Sequence, residues 1–324
     1  VQKFLPYLAA LLNAAIVGLS FLFTKMALET ASPVDTLGWR FFIGWAVLSI
    51  YLKMFMKKLP NKNIRFEKKT ITSLLVLALL YPTIFFSFQA FGLAYTSSAE
   101  GGIIMAFSPA LTALLASIFL KEKMNIFQTI FIFLSIFGVV YIFYSNGSGI
   151  TVSDDKILGI LFLLVSTVAI SGYAVLSRYL SDSFTPIQLT YLMVTMGMLF
   201  FNLCAIIKNA LTGELAGYFY LITELKFIGS VLFLGIFATM ITAFLSNYIL
   251  SKLSASRMSI FSNLSTVISI AAGAILLNEQ INLYHIIGSI MIIAGVLGTN
   301  LLKETSIQRT DKVFKSRLRV DEKI

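Results

Sequence analysis

The residues in this chain best suited to chemistry are hydrogen-bonding side chains set at helical spacing inside oily runs. Asn13, Ser20 and Thr24 follow one another at intervals of seven and four, which places all three on one face of a helix. Ser166, Tyr173 and Ser177 repeat the pattern later, and Ser108 with Thr112 and Ser265 with Ser269 are pairs one turn apart. Gln89, in "FFSFQAF", offers both donors and an acceptor; Ser246 and Asn247 stand in a comparable later run. Pro82 and Pro109 fall inside apolar runs, where each removes an N–H and clashes with the carbonyl four residues back, at Ala78 and Met105. A kink follows, and the freed carbonyl can contact a ligand or the kink can hinge the helix. Such groups can hold a small polar solute. They can equally bond backbone carbonyls or tie helices together.

Acid–base, nucleophilic and metal chemistry have little to work with. The chain has one histidine, His285, read here as an interfacial residue, and one cysteine, Cys204. It shows no HExxH, no paired acids within an oily run and no glycine-rich phosphate loop. An enzyme is therefore not expected, nor a cofactor or a metal.

These side chains need elements to carry them. The chain is 58% hydrophobic and 12% charged, with a mean hydropathy of +0.88, against roughly 25% charged residues in a soluble domain. Its solvent is a bilayer. The net charge of +10 then reads as basic loops facing anionic headgroups rather than as a nucleic-acid surface. Membrane lipids and a small-molecule substrate are the expected partners, and a homodimer is left open. Ten apolar spans emerge, at roughly 5–28, 34–55, 71–95, 98–120, 125–144, 157–178, 186–207, 226–251, 255–277 and 282–302. With the N-terminus placed inside, twenty Lys and Arg fall on the inner side and four on the outer. That asymmetry predicts a multi-pass protein of the cell membrane with both termini cytoplasmic.

The chain also repeats itself. A shift of 157 sets Glu122 on Glu279, Asn125 on Asn282, Ser108 on Ser265 and Gly138 on Gly295. A shift of 153 sets Lys25 on Arg178 and Pro33 on Pro186. The expected fold is all-α and integral to the membrane, with ten transmembrane helices in two five-helix repeats, 5–144 and 157–302. A linker, 145–156, joins them and a basic tail, 303–324, follows. Five is odd, so the second repeat is inverted with respect to the first. Glu122 and Glu279 mark the corner between the fourth and fifth helix of each half. A structural role is favoured there, with the acid near the positive end of the helix that follows it.

The stretches "SPVDTLGWRFFIGW", "AFGLAYTSSAEGGIIMAFSPALTALLASIFLKEK" and the weaker echo "KLSASRMSIFSNLSTVISIAAGAILLNEQ" resemble the drug/metabolite transporter superfamily, in its EamA-type branch. Thr266 departs from the pattern where a proline would repeat. The resemblance implies a metabolite carrier, commonly an exporter of amino acids and related compounds. By the helical rise, Ser20, Ser108, Tyr173 and Ser265 sit near the midplane, where repeat-built carriers bind substrate. Spans 1, 3, 4, 6, 8 and 9 should line the path, moving a neutral or zwitterionic metabolite by alternating access. A channel-like facilitator or lipid-moving protein is the alternative. Lys25, Glu29, Arg40 and Glu100 read as an outer charge cluster. Arg40, the deepest, is expected to pair with Glu29, Asp35 or Glu100; attraction of a carboxylate or phosphate is the alternative.

Overall fold

In lipid, an unpaired backbone amide has no water to turn to, so apolar runs of this length close their hydrogen bonds as helices. The computed structural model of the protein describes residues 5–55, 68–119, 126–147, 154–180, 184, 186–252 and 255–298, and no strand occurs among them. In chain order the helices are α1 (Leu5–Leu28), α2 (Pro33–Phe55), α3 (Lys68–Ala78), α4 (Phe85–Tyr95), α5 (Ser98–Met105), α6 (Ser108–Phe119), α7 (Ile126–Gly147), α8 (Asp154–Leu180), α9 (Pro186–Thr212), α10 (Leu215–Tyr220), α11 (Leu225–Leu232), α12 (Thr242–Lys252) and α13 (Ala255–Leu276). The last, α14, is Leu283–Gly298. Six rods are long and apolar enough to cross a membrane, including the composites Ile71–Tyr95, Ser98–Phe119 and Leu225–Ser246. Three shorter apolar helices, Ile126–Ile142, Leu264–Leu276 and Leu283–Gly298, and the more charged α2 complete the set. The fold is that of an all-α membrane protein. Its outer faces carry large exposed apolar side chains such as Leu211, Leu225 and Ile275.

Equivalent helices of the two halves lie side by side and antiparallel. Along α2 and α9, Asp35 meets Asn209 at one end while Leu48 and Leu52 meet Val194 at the other. Along α5 and α13, Ser98 bonds to Ser269, and Gly102 bonds to Thr266 further along. Along α7 and α14, Gly138 lies against Gly288, and Phe131 against Gly295. Further contacts come in matched pairs: α1 runs along α13 as α8 runs along α5 and α6, and α4 rests on α8 as α11 and α12 rest on α1. Glycines set the closest of these approaches. The backbone carbonyl of Gly288 stands 2.9 Å from where a Cβ on Gly138 would be, so only a hydrogen fits.

Both halves also break a helix at the same place. A π-type stretch broken by a kink, Leu79–Ile84, separates α3 from α4, and a continuous π-helical stretch, Phe233–Ile241, separates α11 from α12. The 157-residue shift sets 79–84 onto 236–241, within the second stretch. In the first, Pro82 has no N–H to give, Tyr81 leaves the helical region (φ −143°, ψ 118°) and the Tyr81–Pro82 peptide is cis. In the second, the Thr239 hydroxyl donates to the Leu234 carbonyl at 2.9 Å. Different residues thus produce the same interruption. A further break, at Ala106–Phe107, divides α5 from α6 just before Pro109.

Two features differ from the sequence reading. The short α10 is an additional element, held by Tyr218, whose carbonyl accepts from Trp39 Nε1 at 3.2 Å and whose hydroxyl donates to Asn202 at 3.1 Å. Glu279 does not serve the helix that follows it. Its carboxylate accepts from the backbone N–H groups of Ser98 and Ala99 at 2.7 and 3.1 Å and from the Ser98 hydroxyl at 3.0 Å. It therefore caps α5, in the other half, because the antiparallel packing of α5 and α13 brings the α5 N-terminus to the end of α13. Glu122 lies outside the described residues.

Candidate functional site

Two polar centres stand out, one at the end of the bundle and one at its middle. The end centre is built around Glu100, which is 2% exposed. Ser97 caps α5, and Glu100, three residues on, returns a bond to the Ser97 N–H at 3.0 Å, completing a capping box. Lys156, from the start of α8, sits 3.0 Å from Glu100 Oε1. His285 Nε2 lies 3.5 Å from the same oxygen. The Asn282 N–H donates to His285 Nδ1 at 3.1 Å, which leaves the ring proton on Nε2, facing the carboxylate. His285 is thus buried within the end of the bundle. Lys25 donates to the carbonyls of Leu93 and Thr96 at 2.8 and 2.6 Å, closing the C-terminus of α4. Together with Glu279, these groups tie α1, α4, α5, α8, α13 and α14 together.

The expected charge cluster is therefore split. Lys25 and Glu100 belong to this end centre. Glu29 pairs with Lys226 on the surface. Asp35, next to Ser32, Lys208 and Asn209, fastens α2 to α9. Burial, and after it the charge of Asp35, push the nearby Tyr218 phenol above its ordinary pKa. Arg40 joins none of them. Gly44 and Gly235 let α2 and the second π stretch touch backbone to backbone, and Arg40 turns into that contact. Its Nε donates to Thr239 Oγ1 at 3.2 Å and its Nη2 to the Ala238 carbonyl at 3.3 Å. Its guanidinium carbon lies 4.3 Å from the centre of the Phe86 ring. Arg40 is 3% exposed, and among the described residues no carboxylate lies within ion-pair distance of it. The expected pairing with Glu29, Asp35 or Glu100 is thus not formed.

Around Arg40 the middle centre takes shape. Phe86 touches Tyr81, and the Tyr81 ring packs at a tilt against Tyr173 of α8 with ring centres 4.5 Å apart. Tyr173 bonds to Ser177. Gln89 follows Phe86 by three residues on the same face of α4. It is 6% exposed, and among the described residues it makes no hydrogen bond. Ser108, half-buried at the start of α6, accepts through its carbonyl from Thr112 and Ser171 at 2.8 and 3.0 Å, and its own hydroxyl is uncommitted.

The other polar positions are engaged more locally. Ser20 and Thr24 donate to backbone carbonyls of their own helix. Ser166 donates to the Phe85 carbonyl at 2.8 Å and Ser269 to the Ser98 carbonyl at 2.8 Å, joining helices. Asn13 meets Ser246 at 3.4 Å. Ser265 sits where α13 crosses Gly18 of α1. The side chain of Asn247 lies outside the described residues. Sequence reasoning left out α2 as a lining helix, and with it the Arg40–Thr239–Phe86 arrangement. The signal was there only indirectly, in the spacing of small residues: Gly38 and Gly44 flank Arg40, and Gly235 stands four residues before Thr239. An apolar groove between α13 and α14, lined by Val267, Ile286 and Ile290, offers little beyond His285 and Ser289 to a polar solute.

With this geometry in view, relatives become informative. The sequence profile of the EamA-like transporter family matches residues 4–144 and again 157–301. The chain belongs to the EamA-like transporter family. It is 39% identical over 308 residues to the uncharacterized transporter YcxC of Bacillus subtilis, covering 95% of this chain and 96% of that one. An uncharacterized transporter of Archaeoglobus fulgidus is 28% identical, over 86% and 92% of the two chains. A WAT1-related protein of Arabidopsis thaliana is 24% identical, over 79% and 74%. A solved crystal structure superposes with a TM-score of 0.56 at 17% identity, covering 91% of this chain and 96% of the other, a likeness of fold. This EamA-family chain is therefore a multi-pass membrane protein of a transporter family, with its family domain duplicated.

Proposed function

We propose that the protein is a secondary transporter of the cell membrane that moves a small neutral or zwitterionic metabolite, such as an amino acid, outward by alternating access. The observation that carries this reading is the antiparallel pairing of equivalent helices around an uncommitted polar middle. A repeat of five helices related in that way is inverted across the bilayer, and its two copies can exchange conformations to expose one site to either side. The Glu100 end is then the outer end, with both termini cytoplasmic, as the basic loops favour. There the halves are joined by the Glu100, Glu279 and His285 contacts. Among the described residues, α5 packs on α13 whereas α6 packs on α8, so the two fourth helices part below the Ala106–Phe107 break. This supports a state closed outside and parted inside. Gln89 and Ser108 are the groups we assign to the cargo, together with Tyr173; the π stretches and Pro109 serve as bends.

The test is counterflow in vesicles holding the purified protein, with a panel of labelled amino acids and their amides. Saturable exchange, accelerated by cargo on the far side, is the expected result. Flux that rises without limit along the gradient would instead favour a channel-like facilitator.

A further inference from the structure

We infer that Arg40 is the subsite for a carboxylate group of the cargo. This rests on the transport reading but names a chemistry that reading leaves open. A guanidinium has five N–H donors. Thr239 and the Ala238 carbonyl take one each, and among the described residues the remaining three have no acceptor. A buried charge without a counter-ion is strongly unfavourable, and among the described residues two neutral acceptors and one aromatic face answer it. A ligand anion supplies what is missing. The planar fork suits a carboxylate, which can accept two parallel bonds. Charge balance favours the same choice. One guanidinium is matched by one carboxylate charge, whereas a phosphate would bring surplus negative charge to the same fork.

Symmetry adds an independent argument. The 153-residue shift that relates the early helices sets Arg40 on Met193, and the 157-residue shift sets Thr239 on Pro82. Gly44 lies against the second π stretch as its counterpart Gly197 lies against Pro82. The two surroundings correspond, yet one holds a cation and the other a thioether, with Met193 1% exposed. The scaffold therefore accommodates an apolar side chain at this position and does not need the arginine for packing. What the arginine adds is charge, on one side of the site only. Phe86, Tyr81 and Tyr173 then flank the bound carboxylate with aromatic surface, and the Gln89 amide stands one turn along. The cargo class that fits is a small monocarboxylate with an apolar or aromatic body, zwitterions included.

The experiment uses the full chain in detergent. Trp39 and Trp45, its two tryptophans, bracket Arg40 on α2 and report binding by their fluorescence. The probes are 3-phenylpropionate, its amide and L-phenylalanine. Saturable quenching by the two acids, at least tenfold stronger than by the amide, is expected from the parent protein. Arg40→Met, which copies the other half, should lose acid binding at least tenfold and treat acid and amide alike, while Arg40→Lys retains part of the preference. Equal binding of acid and amide by the parent, no saturable response to either acid, or unchanged acid preference in Arg40→Met would each overturn the inference. The first of these needs no variant, so a misfolded mutant cannot mask the outcome. Counterflow in vesicles separates this inference from the transport reading. Saturable counterflow without acid preference removes the subsite and keeps the transporter. Acid-selective binding without counterflow keeps the subsite and removes the transporter.

Discussion

Gln89 and Ser269 show how differently two polar side chains can spend their time in a membrane helix. Ser269 is fully buried and bonds the Ser98 carbonyl, so it is part of the framework. Gln89 is nearly as buried and bonds nothing among the described residues. An unsatisfied amide does not stabilise the fold. Gln89→Leu should therefore leave thermal stability within about 0.5 kcal/mol of the parent, or raise it, while cargo flux falls about tenfold or more. A stability loss matching the flux loss would assign Gln89 to the framework instead. The sequence could single out both residues but not tell them apart, because spacing reveals a face and not the partner across it. The same limit affected Arg40. Its depth along α2 was legible, but its direction was fixed by Gly44 and Gly235, residues with no side chain to announce a contact.

Among the elements, α7 and α14 form the most explicit glycine seam. Gly138 meets the Gly288 backbone, and Gly295 meets Phe131 and Ser135. Ser135 adds a bond to the Ile292 carbonyl at 3.2 Å. Gly288→Leu would drive its first carbon into Ile142, and overpacking of this kind costs about 1–3 kcal/mol. Gly229 in α11 has nothing within 4 Å, and Gly229→Ala there should stabilise by up to about 1 kcal/mol. Thermal melts of the two variants should move in opposite directions; a parallel shift would mean the seam is looser than drawn. The helices themselves were legible from hydropathy, since long apolar runs have only one way to satisfy their backbones. The π stretches were half legible. Pro82 signals a break, but Thr239 achieves one through a hydroxyl bond to Leu234 that no residue type declares in advance.

For the whole molecule, the duplication was legible because Glu279, Asn282 and Gly295 repeat their counterparts at one fixed shift. Which half each repeated residue would serve was not, because that depends on how the halves dock. Glu100 illustrates the result, since it joins Lys156 and His285 across distant parts of the chain. If this end is the outer gate, Glu100→Gln should loosen it. In a Cys204→Ser background, a thiol at Ser20→Cys should then react with a membrane-impermeant reagent from outside at least tenfold faster than with Glu100 intact. Unchanged labelling would remove Glu100 from the gate.

Glu279 and the start of α5 are separated by 181 positions along the chain. Ribosomes add about 5–20 residues each second, so the α5 amides wait roughly 10–35 s for the carboxylate that satisfies them. Throughout that interval the Ser97 capping box holds the α5 end alone, and the nascent second half brings the carboxylate for the Ser98 and Ala99 amides. Maturation of this protein is therefore timed by translation, and stalling the ribosome before codon 279 should leave a first half that quality-control proteases recognise as unfinished.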